Sequence, residues 1–312
     1  MRFVVCGEAL IDLMPGGERT GWSETSWRAL SGGGPMNTAV ALARLGHRVE
    51  FLGRFGADSF AAQLRGHITE SGAGLDLAVA TAEATSIAVV SLDDQGKASY
   101  AFHFEGTANF GWQDGDFPIL PAQDWLHFGS IGAVVMPGHE ALLRFIQRSE
   151  TGLSYDINVR ASVLPDLPEY RRRVFALMAA VGQRGGVVKA SDEDIEVLLG
   201  QPGVDVARVA ADWVREFQLG LFVVTLGPDG AIAVTPSGEV FRVPGRPIAL
   251  VDTVGAGDTF MAGFLSRYAS DPGRVTEALQ RGIGASAMVC ARKGANPPTA
   301  DELDDYLGRT AG

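Results

Sequence analysis

Asp252-Thr-Val-Gly-Ala-Gly-Asp-Thr-Phe260 places a glycine-rich turn between an apolar run and the start of an apolar helix. Glycines let backbone amides approach a ligand closely, and a helix N-terminus carries about half a positive charge. A turn of this kind suits an anion such as a phosphoryl group. We therefore predict that the anion would lie against Gly255, Ala256 and Gly257, with Asp258 beside it.

Asp258 is a candidate catalytic base. Next to a phosphoryl group, its carboxylate can accept the proton of an attacking hydroxyl while the amides of the turn stabilise charge on the phosphoryl oxygens. The alternative is structural, because an aspartate in the first turn of a helix complements the helix dipole and contributes about 0.3 to 1 kcal/mol. The local sequence by itself leaves both interpretations open.

The pattern around this turn predicts the fold class. Strand-like apolar runs alternate with helical patterns along most of the chain, which is typical of a mainly parallel sheet between helix layers. We therefore predict an α/β fold. The best core strands are rich in β-branched and aromatic residues; they are residues 3–7, 50–54, 125–129, 153–157, 186–189 and 221–226.

Two segments interrupt this alternation, residues 13–30 and 85–104. In the second segment, two strand-like runs flank Asp93-Asp-Gln-Gly-Lys97, which is a hairpin signal. Strands without an intervening helix do not fit a βα alternation, so both segments are predicted to form a small separate sheet that acts as a lid. An antiparallel edge of the main sheet would give the same pattern.

Composition excludes several functional classes. The chain has 312 residues, 46% of them hydrophobic, which is enough for a substantial core. Its formal net charge of −11 opposes binding to nucleic acid or to an anionic membrane surface. No apolar stretch approaches the roughly 20 residues of a membrane span, so we predict a cytoplasmic location. Cys6 and Cys290 predict no disulfide framework, and the five histidines show no metal-ligand spacing.

Residues 252–260 resemble the C-terminal signature of the ribokinase-like (PfkB) carbohydrate kinases, and Gly32-Gly-Gly-Pro-Met-Asn-Thr-Ala-Val-Ala-Leu-Ala-Arg-Leu-Gly46 resembles the N-terminal signature. The resemblance covers essentially the whole chain. It implies a single ribokinase-like kinase domain, residues 1–312, with a lid formed approximately by residues 13–30 and 85–110. It also implies phosphorylation of a sugar by ATP with Mg²⁺, and a homodimer formed through the lid.

The resemblance assigns sugar binding to five residues. Gly32 and Gly33 would let the backbone approach a polyhydroxylated ligand, and Asn37 can both donate to and accept from hydroxyls. Asp12 is expected just past the first strand and matches the sugar-binding aspartate of the family. Arg160 closes a segment that resembles the Asp-x-Asn-x-Arg of fructokinase-like and ketodeoxygluconate-kinase-like members. A helix cap, a solvated turn residue and a surface arginine are the respective structural alternatives for Asn37, Asp12 and Arg160.

A second group of residues is expected to serve the nucleotide. Many relatives carry Asn-x-x-Glu, implicated in magnesium and phosphate placement, where this chain has Ser191-Asp-Glu-Asp194. Asp194 keeps a carboxylate for a hydrated magnesium, but Ser191 lacks the amide, and an acidic helix start fits the same residues. Residues 225–230 resemble the nucleotide-binding loop. The expected nucleotide contacts are therefore Lys189, Ser191, Thr225, Gly227, Gly230 and Gly257.

The resemblance further implies a monovalent-cation site. Asp252 and the main-chain carbonyls of Val254, Val289 and Gly294 correspond to that site in ribokinase-like enzymes. Potassium dependence is therefore a hypothesis. The same carbonyls could instead accept hydrogen bonds from backbone amides, as carbonyls ordinarily do.

Within the family the chain most resembles bacterial fructokinases, through Gly7-Glu-Ala-Leu-Ile-Asp12 and residues 104–109. Conversion of fructose to fructose 6-phosphate is the expected reaction, and 2-keto-3-deoxygluconate kinase or another PfkB sugar kinase is the alternative. A dehydrogenase would need Gly-x-Gly-x-x-Gly after the first strand, which is absent, and Gly96-Lys97 does not complete a P-loop. A non-catalytic sugar or nucleotide sensor is the competitor from another class.

Overall fold

The computed structural model describes residues 1–17, 23–92 and 98–309. The strands are β1 (Phe3–Cys6), β2 (Leu10–Pro15), β3 (Trp27–Gly32), β4 (Val49–Leu52), β5 (Arg54–Phe55), β6 (Val79–Ala80), β7 (Ile87–Leu92), β8 (Ala98–His103), β9 (Trp125–Gly129), β10 (Gly152–Asp156), β11 (Val187–Ser191), β12 (Leu221–Thr225), β13 (Ala231–Val234) and β14 (Val240–Val243).

The helices are α1 (Gly34–Arg44), α2 (Ser59–Glu70), α3 (Ser130–Val134), α4 (Gly138–Arg148), α5 (Leu167–Gly182), α6 (Asp192–Leu199), α7 (Val206–Phe217), α8 (Ala256–Tyr268), α9 (Val275–Cys290) and α10 (Ala300–Arg309). Within the described ranges, no helix has the length and apolar character that crossing a membrane requires. The element order alternates strands and helices as the α/β prediction requires.

The main sheet contains eight strands within the described residues, in the order β14-β13-β12-β11-β10-β9-β1-β4. Pairing is parallel from β12 to β4, and β13 and β14 extend the sheet in antiparallel pairs. All six predicted core strands are present, with ends within two residues of the prediction. The α/β prediction is therefore confirmed.

Each face of the main sheet supports its own core because successive side chains of a strand point to opposite faces. In β1, Val4 and Cys6 pack into one cluster with residues of α4, α5 and α7, whereas Phe3 and Val5 pack into another with α1, α8 and α9. Helices cover both faces of the sheet. Side chains at the ends of the strands are therefore the ones that can contact a ligand.

A separate small sheet has the order β3-β2-β7-β8. β7 and β8 form the predicted antiparallel pair, while the predicted turn at residues 93–97 lies outside the described residues. The prediction of a small separate sheet is confirmed, and the alternative of an edge extending the main sheet is wrong. Its role as a lid stays a prediction.

Phe264 tests how strongly the core anchors α8, the helix that begins at the glycine-rich turn. Its ring is fully buried and stacks on Tyr268 with centroids 5.0 Å apart. We expect Phe264→Ala to lower the free energy of unfolding by about 3 to 5 kcal/mol, because it removes buried apolar area and leaves a cavity. Urea denaturation would measure this loss.

Ile119→Ala is the matched control, since the Ile119 side chain is 98% exposed. Its effect should stay within about 0.5 kcal/mol. Equal effects of the two substitutions would show that α8 is not anchored through Phe264.

Candidate active site

A cleft of about 350 Å³ opens at the carboxyl ends of β1, β9 and β10. Open α/β sheets form a crevice where the strand order reverses. Here β1 pairs with β4 on one side and with β9, a later strand, on the other side. The cleft is lined by Glu8, Leu10, Asp12, Gly33, Gly34, Asn37, Phe102, Ser130, Ile131, Asn158, Arg160, Ser162 and the turn from Thr253 to Asp258.

The predicted base lies in this cleft. Gly255 takes a left-handed conformation (φ 75°) that a glycine adopts without strain, and α8 starts at the next residue. This places Asp258 in the first turn of α8, where it is 9% exposed and accepts a hydrogen bond from Asn37 Nδ2 at 2.8 Å. The two signatures of the sequence therefore meet at one carboxylate.

Burial raises the pKa of Asp258, although the hydrogen bond from Asn37 and the positive charges of Lys189 and Arg160 act to lower it. The carboxylate is consequently more basic than an exposed aspartate. Proton acceptance requires this property, whereas a residue that only complements a helix dipole does not.

The turn itself supplies amides as predicted, with one difference. The first amides of any helix have no acceptor within that helix. Here the amide of Ala256 donates to the carbonyl of Thr253 at 3.1 Å, so it is already used inside the turn. The amides of Gly255 and Gly257 are the better candidates for an anion.

Lys189 lies close to this turn, and its predicted contact with the nucleotide stays a prediction. Its ammonium nitrogen is 3.0 Å from both carboxylate oxygens of Asp156, and both side chains are buried. A Cβ atom at Gly257 would lie 3.0 Å from that nitrogen, so the glycine leaves the charge close to the predicted anion site. Burial acts to lower the pKa of Lys189, but the surrounding carboxylates raise it overall. The lysine therefore stays charged.

Asp12 and Arg160 contribute opposite charges to the cleft. Asp12 follows β1 along the chain, belongs to β2 of the small sheet and is not a turn residue. Burial raises the pKa of Asp12 to about 6, opposed by the charge of Arg160. Arg160 is exposed and its guanidinium donates to the carbonyl of Val159 at 2.9 Å. Neither side chain is part of a hydrophobic core, so either one can contact a ligand in the cleft.

The predicted sugar-binding glycines have clear steric reasons to be glycine. A Cβ atom at Gly32 would lie 2.5 Å from Asp12 Oδ2. Gly33 has a φ of 119° and precedes α1, where a Cβ atom would lie 2.5 Å from the carbonyl oxygen of Glu8. Gly33 lines the cleft, whereas Gly32 ends β3 beside Asp12. These glycines bring the small sheet and α1 against the cleft.

Ser191 and Asp194 form a reciprocal cap at the start of α6. The hydroxyl of Ser191 accepts from the Asp194 amide at 3.0 Å, and Asp194 Oδ2 accepts from the Ser191 amide at 2.8 Å. The remaining oxygen, Oδ1, accepts from the Val159 amide at 2.7 Å. This arrangement shows the cap that the structural alternative, an acidic helix start, requires, while the magnesium role of Asp194 stays a prediction.

The predicted nucleotide loop lies further along the same edge of the main sheet. Thr225 ends β12, Gly227 begins a 3₁₀ turn and Gly230 leads into β13. A Cβ atom at Gly230, whose φ is 98°, would collide with the backbone of residues 243–245, so this glycine is also required by packing. Lys189 and Ser191 on β11 stand between this loop and the cleft.

The residues of the predicted monovalent-cation site are brought together, but they also bond one another. Asp252 accepts from the amides of Val254 at 3.1 Å and Gly294 at 2.9 Å. The carbonyl of Val289 accepts from the Arg292 amide, and that of Gly294 accepts from the Asn296 amide. A carbonyl has two lone pairs, so these bonds leave capacity for a cation. Potassium binding stays a prediction.

Glu8, Ser130 and Asn158 are among the cleft residues that were given no role from the sequence. Glu8 and Asn158 occur inside segments used for the resemblance, but their spacing carries no signal that they meet. Burial raises the pKa of Glu8 to about 7, although hydrogen bonds from its own backbone, Ser130 and Gly132 lower it. Only the adjacency of β1, β9 and β10 brings the three side chains together.

Several known proteins have similar sequences. A fructokinase of Klebsiella pneumoniae is 34% identical over 277 residues, which cover 85% of this chain and 84% of that protein. A fructokinase of Vibrio alginolyticus is 31% identical over 318 residues, with 98% of each chain covered. The similarity therefore extends across the cleft and both sheets.

Solved structures are similar as well. The fructokinase of Vibrio cholerae O395 with bound fructose, ADP and calcium ion superposes with a TM-score of 0.83 at 30% identity, covering 98% of both chains. An aminoimidazole riboside kinase of Salmonella enterica has the same TM-score at 26% identity, covering 98% of this chain and 100% of that one. Because the pfkB family carbohydrate kinase profile also matches residues 2–302, this chain belongs to the pfkB family of carbohydrate kinases.

Proposed function

We propose that this sugar kinase transfers the terminal phosphoryl group of ATP to a hydroxymethyl oxygen of fructose and so forms fructose 6-phosphate. The observation that carries the proposal is the buried Asp258 carboxylate, which faces the cleft beside Asn37 at the start of α8. The relatives named fructokinase, and the structure of one with fructose and ADP, support this choice of sugar and nucleotide.

Asp258 acts as the base in this proposal. The hydroxyl oxygen of the sugar forms the new bond to phosphorus, the bond from phosphorus to the ADP oxygen breaks, and the hydroxyl proton moves to Asp258. The amides of Gly255 and Gly257 and the ammonium group of Lys189 stabilise the negative charge on the phosphoryl oxygens. Asn37 keeps the carboxylate in position through its 2.8 Å hydrogen bond.

The metal is proposed to arrive with the nucleotide. Within the described residues, no cluster of three or more histidine, cysteine, aspartate or glutamate side chains could hold a metal ion. Asp194 accepts one backbone amide at each of its oxygens, so only the remaining lone pairs could accept hydrogen bonds from a hydrated Mg²⁺. The phosphates of ATP are the natural ligands for Mg²⁺, which keeps several waters when bound to proteins.

The charges of the cleft favour a neutral sugar over an acidic one. Glu8, Asp12 and Asp258 line the cleft, and Arg160 is the cation among its lining residues in the described part of the chain. The anion of 2-keto-3-deoxygluconate would meet these carboxylates, and Arg160 could offset only part of the repulsion. Fructose carries no charge and can hydrogen-bond to Asp12 and Asn37.

A non-catalytic sensor is the remaining alternative from another class. A sensor needs the sugar contacts but has no use for a buried, basic carboxylate next to a cluster of positive groups. Asp258 with Lys189 beneath its turn therefore favours catalysis. The homodimer through the small sheet and the cytoplasmic location stay predictions.

Asp258→Asn tests the base directly. We expect turnover to fall by at least about 10²-fold, because the amide cannot accept the hydroxyl proton. The melting temperature should change little, since an asparagine oxygen can still accept the hydrogen bond from Asn37. A coupled assay of ADP release and a thermal melt measure the two effects. Asp301→Asn, at an exposed site in α10, is the control, and near-normal turnover of Asp258→Asn would refute the mechanism.

The substrate assignment is tested with the same assay on fructose, ribose, tagatose, 2-keto-3-deoxygluconate and common nucleosides, with and without potassium. We expect the highest kcat/KM for fructose, because the cleft offers hydroxyl partners and repels acidic sugars. A higher kcat/KM for 2-keto-3-deoxygluconate would refute the charge argument and leave the sugar kinase assignment intact.

The pH dependence of sugar binding tests Asp12. Its pKa is raised to about 6, so the carboxylate is ionised above that pH and accepts hydrogen bonds from sugar hydroxyls. We expect fructose affinity, measured by calorimetry without nucleotide, to fall as the pH decreases through about 6. Asp12→Asn should bind more weakly with a flatter profile, the remaining slope coming from Glu8 and Asp258. An unchanged slope in this variant would show that Asp12 is not the titrating group.

A further inference from the structure

Three chain segments converge beside the base without an assigned role. Glu8 follows β1, Ser130 follows β9 and Asn158 follows β10, and these strands are neighbours in the main sheet. All three side chains line the cleft. They therefore stand at the reversal of strand order, where open α/β sheets place ligand contacts.

Glu8 is held inside the protein by specific bonds. It is 1% exposed, and its Oε2 accepts from the Gly132 amide at 2.9 Å. The Ser130 side chain lies near this carboxylate and acts to lower its pKa. A Cβ atom at Gly132 would lie only 2.7 Å from Oε2, so the glycine is needed for this close approach. The glutamate thus clamps the segment that starts α3.

Two residues of the cleft have strained backbone conformations. Ser130 has a φ of 59° and Asn158 has a φ of 44°, conformations that residues with a Cβ atom rarely adopt. Strained residues persist only where their surroundings enforce them, and they cluster at functional sites. The Gly132 amide donates to Glu8 and so fixes the short helix that begins at Ser130, which helps to enforce the conformation of the first residue.

The Ser130 side chain in turn contacts Asn158. The Asn158 Nδ2 donates to Ser130 Oγ at 3.3 Å. A methyl group at Gly34 would lie 3.1 Å from Asn158 Nδ2 and 3.2 Å from Asp258 Oδ1. The amide and the proposed base therefore face the same small space at the Gly34 backbone, so a sugar that offers a hydroxyl to Asp258 would have another of its oxygens within reach of Asn158.

We propose that Asn158 donates a hydrogen bond to a second hydroxyl oxygen of the sugar, and that Glu8 is the positioning residue that holds Asn158 there through the segment from Ser130 to Gly132. This inference rests on the proposed sugar kinase function. It adds a substrate contact and a chain of two supporting side chains to the site formed by Asp12, Asn37 and Asp258.

Asn158→Ala, Ser130→Ala and Glu8→Gln test the chain. Each is expected to lower kcat/KM for the sugar by about tenfold, the size of one lost hydrogen bond, and to leave the KM for ATP within about twofold. Because the three residues act in series, Glu8→Gln combined with Asn158→Ala should cost no more than Asn158→Ala alone. Additive losses of about a hundredfold in the double variant would overturn the proposal.

Singly deoxygenated fructose analogues locate the contact. For the analogue that lacks the contacted hydroxyl, the wild-type kcat/KM should be about tenfold lower than for fructose. The Asn158→Ala variant should show the same kcat/KM for that analogue as for fructose. If Asn158→Ala retained the full wild-type discrimination for every analogue, Asn158 would not touch the sugar.

Thermal melts separate positioning from a purely structural role. Glu50→Gln is the matched control, because Glu50 is also a buried glutamate with a bond to a backbone amide, that of Asp76. We expect it to lower stability without changing kcat/KM. If Glu8→Gln likewise lowered only the melting temperature, the positioning role would be refuted.

If the wild type phosphorylated none of the sugars tested, the proposed function itself would fail, and this inference with it.

Discussion

The hydrogen bond from Asn37 to Asp258 joins the first turns of two helices that are 221 positions apart in sequence. Both helices begin at the same edge of the main sheet and pack on the same face, with their apolar sides in one core. Because a helix start leaves amides without acceptors, two starts at one place create a site for anions and hydroxyls. The position of every other group in the cleft is defined relative to this contact.

The buried charged groups in and beside the cleft lower the stability of the protein, but the proposed reaction needs them. Burial raises the pKa values of Glu8, Asp12, Asp156 and Asp258, which shows that each carboxylate is more costly to ionise than in water. Lys189 offsets part of this cost through its ion pair with Asp156. A protein that needs only stability would replace such a cluster with apolar side chains. A catalytic site needs basic carboxylates and a fixed positive charge close together.

The small sheet carries part of the cleft, and its Ile11 packs into the same core as α1 and α8. β2 contributes Asp12 and β8 contributes Phe102, while β3 leads through Gly33 into α1. In the proposed mechanism, the sugar side of the cleft is thus built from two sheets that are connected by glycines. The proposed phosphoryl side is built from the main sheet, α8 and the turn that precedes it.

Sequence alone predicted the α/β class, six core strands, the separate small sheet and the turn that carries Asp258, because each depends on local periodicity or on a motif of neighbouring residues. Capping also has a local signature, yet Ser191 and Asp194 could be read either as a cap or as a metal site until the bonds to Val159 and to each other were visible. The tertiary structure alone decided that Asn37 meets Asp258, that Lys189 lies under Gly257, and that Glu8, Ser130 and Asn158 form one chain. These contacts depend on which strands are adjacent, and strand order is set by packing of the whole sheet rather than by any local pattern.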